Sequence, residues 1–140
     1  MNKETLINFI QDVWNEGKID TIGNYIADSY TIYHDPGDPW HTKTLNVKEF
    51  QQRVSTSRAP FPDQLFDIQT IFEAQSRVCI TWLWQGTQQQ EIAGILAKGK
   101  TFQMSGATVY SFDNKRICGH WQVADRLSIY QQLQQYRLDN

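Results

Sequence analysis

Leu6, Phe9, Ile10, Val13 and Trp14 recur at i, i+3, i+4, i+7 and i+8. That spacing makes one face of a helix apolar, and such a helix is stable only when another surface covers that face. The spacing predicts a first helix over 2–15, with Asn2 as N-cap and Gly17 ending it. Ile19, Ile22, Tyr25 and Ile26 continue the pattern as a second short helix over 18–28, packed on the first. A third helix starts at Asn46, where Glu49 three residues on completes a capping-box pattern and Val47, Phe50 and Val54 share a face. Pro60 and Pro62 stop it.

The partner surface is expected from the β-prone remainder. Short apolar runs at 30–33, 65–73, 78–84, 101–112 and 116–124 alternate or concentrate β-branched and aromatic residues. Asp113-Asn114 turns the last pair. The run from His34 to Trp40 (HDPGDPW) is a loop by its Pro and Gly content, and 88–100 is a connecting segment. A final helix spans about 126–136, with Leu127, Tyr130 and Leu133. Helices first and then a run of hairpin-linked strands is the α+β pattern. With no repeat and no linker, residues 1–140 read as a single domain.

Five Trp and an aromatic share of 13% supply large buried surfaces of the kind that also line small-molecule pockets. A net charge of −2 with no Lys/Arg cluster excludes a nucleic-acid partner and an acidic membrane surface as expectations. No run approaches the ~18 apolar residues of a membrane span. Cys79 and Cys118 each sit in an apolar run and read as buried free thiols, and a cytoplasmic location is expected.

Ile117 to Asp125 is the stretch richest in chemistry. Strand alternation puts Ile117, Trp121, Val123 and Asp125 on one side, mostly apolar and therefore expected to be buried. An acid ending such a stripe would have its pKa raised towards the range of a general acid or base. The competing reading makes Asp125 the N-cap of the last helix, which predicts the opposite shift. His34, at the start of the loop, could orient a substrate or share a proton with a pocket acid; a solvated loop histidine is the alternative. Trp82 and Trp84 share a strand face, and Met104, Gly106, Thr108 and Tyr110 share another. With Tyr33, Trp40 and Trp121 they form the candidate pocket lining, or else ordinary core. Gly106 in mid-strand suggests a bend or bulge. His34, Asp38 and His41 match no compact metal-ligand spacing, so no metal is expected.

His34-Asp35-Pro36, Trp82-x-Trp84-x-Gly86-Thr87 and His120-Trp121-x-x-x-Asp125, closed by Gln131-Gln132-Leu133, occur in this order. In these features nearly the whole chain resembles the SnoaL-like polyketide cyclases (ester cyclases) of the nuclear transport factor two-like superfamily. The resemblance implies a cone-like α+β fold, its N-terminal helices packed in a curved, mostly antiparallel sheet that encloses a pocket. It implies a pocket acid/base at Asp125 with a pocket histidine at His34. The implied reaction is an intramolecular aldol ring closure on a small apolar carbonyl compound, without cofactor or metal. Two alternatives stand beside it: isomerase, dehydratase or epoxide-hydrolase chemistry on the same fold, and a non-catalytic binding module. A homodimer through the outer sheet face is also expected, with Leu83, Val109 and Cys118 as its apolar residues.

Overall fold

The computed structural model describes residues 1–138. Helix α1 (Asn2–Phe9) runs without a break into a wider π-helical stretch, Ile10–Asn15. All five stripe residues are buried. Met1 takes the cap position and Asn2 is already helical. The second helix is shorter than its pattern suggested. A 3₁₀ segment covers Ile19–Asn24, and strand β1 (Ile26–His34) begins where the helix was expected to continue. Gly23-Asn24 interrupts the helical period, and the β-prone run Tyr30-Thr31-Ile32-Tyr33 beyond it favours the extended chain.

Strands β2 (Thr44–Leu45), β3 (Leu65–Ala74), β4 (Arg77–Thr87), β5 (Thr101–Asp113) and β6 (Arg116–Ala124) complete one sheet of order β2-β1-β6-β5-β4-β3. Only β1 and β6 run parallel; the other pairs are antiparallel. Helix α2 (Val47–Arg58) carries the expected capping box. Glu49 N–H donates to Asn46 Oδ1 at 2.8 Å, and Asn46 N–H donates to Glu49 Oε1 at 2.9 Å.

The N-terminal helix and α2 lie in the curl of the sheet, and an aromatic cluster joins them to it. Phe50 meets Tyr30 at 4.7 Å between ring centroids and Trp14 at 6.3 Å. Trp82 faces Gly106 across the β4–β5 ladder, which is unbroken there. A Cβ on Gly106 would stand 2.2 Å from the indole. Gly106 thus leaves room for a ring and does not mark a bulge.

The irregularity that matters for function is in β6. Ser111 pairs with Gly119 and Phe112 pairs with Ile117, which leaves Cys118 unmatched. This bulge shifts the alternation by one residue. Ile117 faces the core, but beyond the bulge His120, Gln122 and Ala124 face inward, while Trp121 and Val123 are about half exposed. Helix α3 (Arg126–Leu138) then runs along the β5 edge that β6 leaves unpaired. The Gln132 side chain substitutes for the missing strand: it donates to Gln103 O at 2.7 Å and accepts from Gln103 N–H at 2.9 Å. Both cysteines are free and only half-buried.

Candidate functional site

A cavity of about 370 Å³ lies between the concave sheet, α2 and α3. Its walls are largely apolar, including Trp14, Phe61, Phe66, Trp82, Trp84 and Met104. Trp40, Ile92 and the exposed Tyr130 also contribute, and Tyr130 stands at the rim. One end is polar, formed by Tyr30, Arg53, His120, Gln122 and Arg126. Behind it, wholly buried, is Asp35.

Asp35 follows the last residue of β1, and β1 lies beside β6, so the carboxylate meets the inward face of β6. Asp35 Oδ2 accepts from His120 Nε2 at 2.9 Å, and both Asp35 oxygens accept from Gln122 Nε2 at 3.1 and 3.2 Å. Arg126 Nη1 donates to Oδ1 at 2.7 Å. Arg53 reaches Oδ2 at 3.4 Å while holding Asp38 at 3.1 Å. Burial alone would raise this carboxyl. The His120 hydrogen bond and the Arg126 charge more than reverse that, and its pKa is lowered to about 2.

An ionised carboxylate can only accept, so His120 Nε2 carries the proton. Burial also holds the imidazole below its ordinary pKa, against the pull of Asp35. His120 is therefore neutral near pH 7, and its Nδ1 accepts the hydroxyl proton of Tyr30 at 2.6 Å. Burial keeps the Tyr30 phenol well above its usual pKa, so it remains a donor. A second chain fixes Gln122: Trp82 Nε1 donates to Thr108 Oγ1 at 2.9 Å, and that hydroxyl donates to Gln122 Oε1 at 2.6 Å. With its oxygen occupied, the Gln122 amide presents its N–H₂ to Asp35.

The residues expected from the sequence divide sharply. Trp40, Trp82, Trp84, Met104 and Tyr110 line the cavity, and Thr108 is buried behind Trp82. Asp125 does not line it. Asp125 is exposed, and its carboxylate accepts the Ser128 N–H at 3.3 Å as the cap of α3. It borders a separate outer cleft with Asp67, Leu83, Gln103 and Ser105. The bulge at Cys118 accounts for the correction, because it turns the Trp121–Val123–Asp125 side outward. His34, Tyr33 and Trp121 are likewise outside the cavity. The His34 ring stacks on Trp121 at 4.3 Å, and Tyr33 is 54% exposed. The His34 and His41 rings meet edge to face at 5.5 Å, but His41 Nδ1 accepts from Asp35 N–H and the Asp38 carboxylate pairs with Arg53. Among the described residues no group of three or more His, Cys, Asp or Glu is placed to hold a metal ion.

The sequence reading missed Asp35, His120, Gln122, Arg53 and Arg126 as a cluster. Gly119, in mid-strand beside His120, was the available signal, since such glycines often mark a bulge. Among the described residues no helix is long and apolar enough to cross a membrane.

No curated protein matches the chain. Among solved structures, a candidate polyketide cyclase from Acidithiobacillus ferrooxidans is 51% identical, with TM-score 0.92 over 96% of this chain and 94% of its own. IdmH, a candidate polyketide cyclase from Streptomyces antibioticus, is 23% identical with TM-score 0.82, covering 95% and 98%. AclR, a candidate hydroxylase from Streptomyces galilaeus, is 16% identical with TM-score 0.79, covering 96% and 81%. The last two share the fold alone. The family model for SnoaL-like polyketide cyclases matches residues 4–133, and the chain belongs to that family.

Proposed function

We propose that this protein transfers a proton on a small apolar carbonyl compound without a cofactor, in a ring closure of the intramolecular aldol type. The observation that carries this reading is the Tyr30–His120–Asp35 chain at the polar end of an apolar cavity. Tyr30 O takes a proton from a carbon flanked by electron-withdrawing groups as its own proton passes to His120 Nδ1. The imidazolium so formed rests on the Asp35 carboxylate. The resulting enolate carbon attacks a second carbonyl of the same molecule and forms the C–C bond. The alkoxide is then protonated through Tyr30, which regains its proton from His120. Asp35 does not reach the cavity and acts as a positioning residue for the imidazole.

The test is deuterium exchange at the activated carbon of a β-keto ester in D₂O, followed by NMR, with ring closure read by product mass. Tyr30→Phe and His120→Gln should each slow exchange by about 10²–10³-fold, within the usual range of acid–base catalysis. Wild-type-like exchange in Tyr30→Phe overturns the relay. A compound that binds but neither exchanges nor cyclises indicates a binding module instead.

The dimer belongs to this reading. Leu83, Trp121 and Val123 are each about half exposed on the outer sheet face, with Val109 paired to Trp121 between them. That apolar patch suits a second copy of the chain. Sedimentation equilibrium should give a dimer that Val123→Lys dissociates, and a monomeric wild type removes the proposal.

A further inference from the structure

Arg126 occupies the first position of α3. Cations are disfavoured there, because the helix dipole is positive at that end and favours acidic groups. The first turn of α3 contains no acidic residue. A guanidinium in that place calls for a compensating role, and its contacts supply one. Nη1 is fully used, donating to Asp35 Oδ1 at 2.7 Å and to Pro36 O at 2.8 Å. The aliphatic stem lies against Gly37, whose φ of +96° suits glycine; a Cβ there would approach Arg126 Cδ to 2.8 Å. The side chain is therefore clamped from three directions by the 35–37 loop. Nε and Nη2 make no hydrogen bond to the protein among the described residues. The side chain is 28% exposed and lines the cavity.

Arg53 offers a contrast that narrows the choice. It is 7% exposed, its guanidinium is held by Asp38 and Asp35, and it lies over the rings of Trp14 and Phe50. The two guanidiniums balance the two carboxylates, and His120 adds no charge. The polar end is thus neutral before reaction, and any negative charge formed on a bound molecule must be met by donors already in place. Arg126 has two such donors on adjacent nitrogens, in the fork that matches two coplanar acceptor oxygens.

We infer that Arg126 is the substrate-oxygen anchor, holding the paired oxygens of an enolised 1,3-dicarbonyl through Nε and Nη2. This rests on the proton-transfer reading above and names its substrate class. As the carbon between the carbonyls loses its proton to Tyr30, negative charge spreads onto both oxygens. A preorganised fork stabilises that charge more than it does the neutral diketone. An isolated carbonyl engages one donor only, so the site selects for the 1,3 relationship. A carboxylate presents a similar pair of acceptors and is the competing occupant.

The probe is benzoylacetone, a 1,3-diketone whose enolate has its own ultraviolet band. The controls are 4-phenylbutan-2-one, with a single carbonyl, and 3-phenylpropanoate, with a carboxylate. Spectral titration near pH 7 should show benzoylacetone bound to wild type largely as the enolate. Arg126→Gln should abolish the band shift and weaken binding by about 10- to 100-fold, the range for losing charged hydrogen bonds. Arg126→Lys keeps the charge but loses the fork and should recover only part of the effect. If Arg126→Gln does not fold, Arg126→Lys carries the test. Binding of 4-phenylbutan-2-one should be similar in all folded forms. Equal ionisation of benzoylacetone in wild type and Arg126→Lys overturns the inference, as does no binding to wild type or tighter binding of 3-phenylpropanoate. Tyr30→Phe separates this result from the reading it rests on. Wild-type-like exchange in that variant removes the relay alone, while enolate binding to wild type and its loss in Arg126→Gln decide the anchor.

Discussion

Asp35 Oδ2 and His120 Nε2 lie 2.9 Å apart across 85 residues of sequence, both buried, at and behind the polar end of the cavity. The contact depends on the parallel pairing of β1 with β6, the single long-range crossover in an otherwise antiparallel sheet. The pair sets the imidazole tautomer, and the tautomer sets which nitrogen can take a proton. In the proposed relay, a buried carboxylate that lines no part of the cavity acts through its neighbour.

Acid should destabilise the protein through this pair. The Asp35 carboxyl is lowered to about 2 in the folded state. Its stabilisation is therefore complete above the unfolded pKa of ~3.9 and is lost as pH falls towards 2, an effect of about 2 kcal/mol. His120 is also lowered, so unfolded chains take up its proton first, and stability begins to fall below the ordinary imidazole pKa of about 6.5. Urea unfolding from pH 8 to pH 3 should show two successive losses, and His120→Gln should remove the upper one.

Asp125→Ala should cost about 1 kcal/mol of stability, the usual effect of losing an N-cap. Turnover should stay near the wild-type rate, since the carboxylate faces outward and, among the described residues, bonds only the Ser128 N–H. Thermal unfolding and steady-state rates on one preparation check both halves. A rate drop of 10²-fold or more with stability intact would return the acid/base role to Asp125.

Gly106→Ala should be among the most damaging single substitutions in the sheet. The added methyl meets the Trp82 ring at 2.2 Å and must displace it. Displacement also breaks the bond from Trp82 to Thr108, and through Thr108 the orientation of Gln122. A loss of about 1–3 kcal/mol is expected for overpacking of this kind. Near-ultraviolet circular dichroism should show the tryptophan signal change.

Gly37→Ala should act on substrate binding more than on fold. The methyl collides with the Arg126 stem and strains a left-handed backbone position. KM for a 1,3-dicarbonyl should rise several-fold, while the loss of stability should be about 1 kcal/mol. Comparing KM for that substrate with melting temperature separates the two effects.

The capping box at Asn46 and Glu49, the stripe from Leu6 to Trp14 and the strand runs after Leu65 are local patterns, and each forms the element its spacing indicates. Local chemistry suffices for them because helix caps and side-chain periodicity act within a few residues. Trp82, Trp84, Met104 and Tyr110 could be placed on the inner wall for the same reason: their strands keep strict alternation. The buried carboxylate behind the cavity could not be read in this way. Asp125 and Asp35 both end apolar strands, and alternation alone favours Asp125. One unmatched residue at Cys118 reverses which side of β6 faces inward, and whether a strand bulges depends on its partner's register. The pairing of His120 with Asp35, and the clamp that aims Arg126, come from strands and a loop distant in sequence. The periodicity of the chain therefore determined its elements and most of its apolar wall, while tertiary pairing decided which polar groups share the cavity, because register is a property of two strands and never of one.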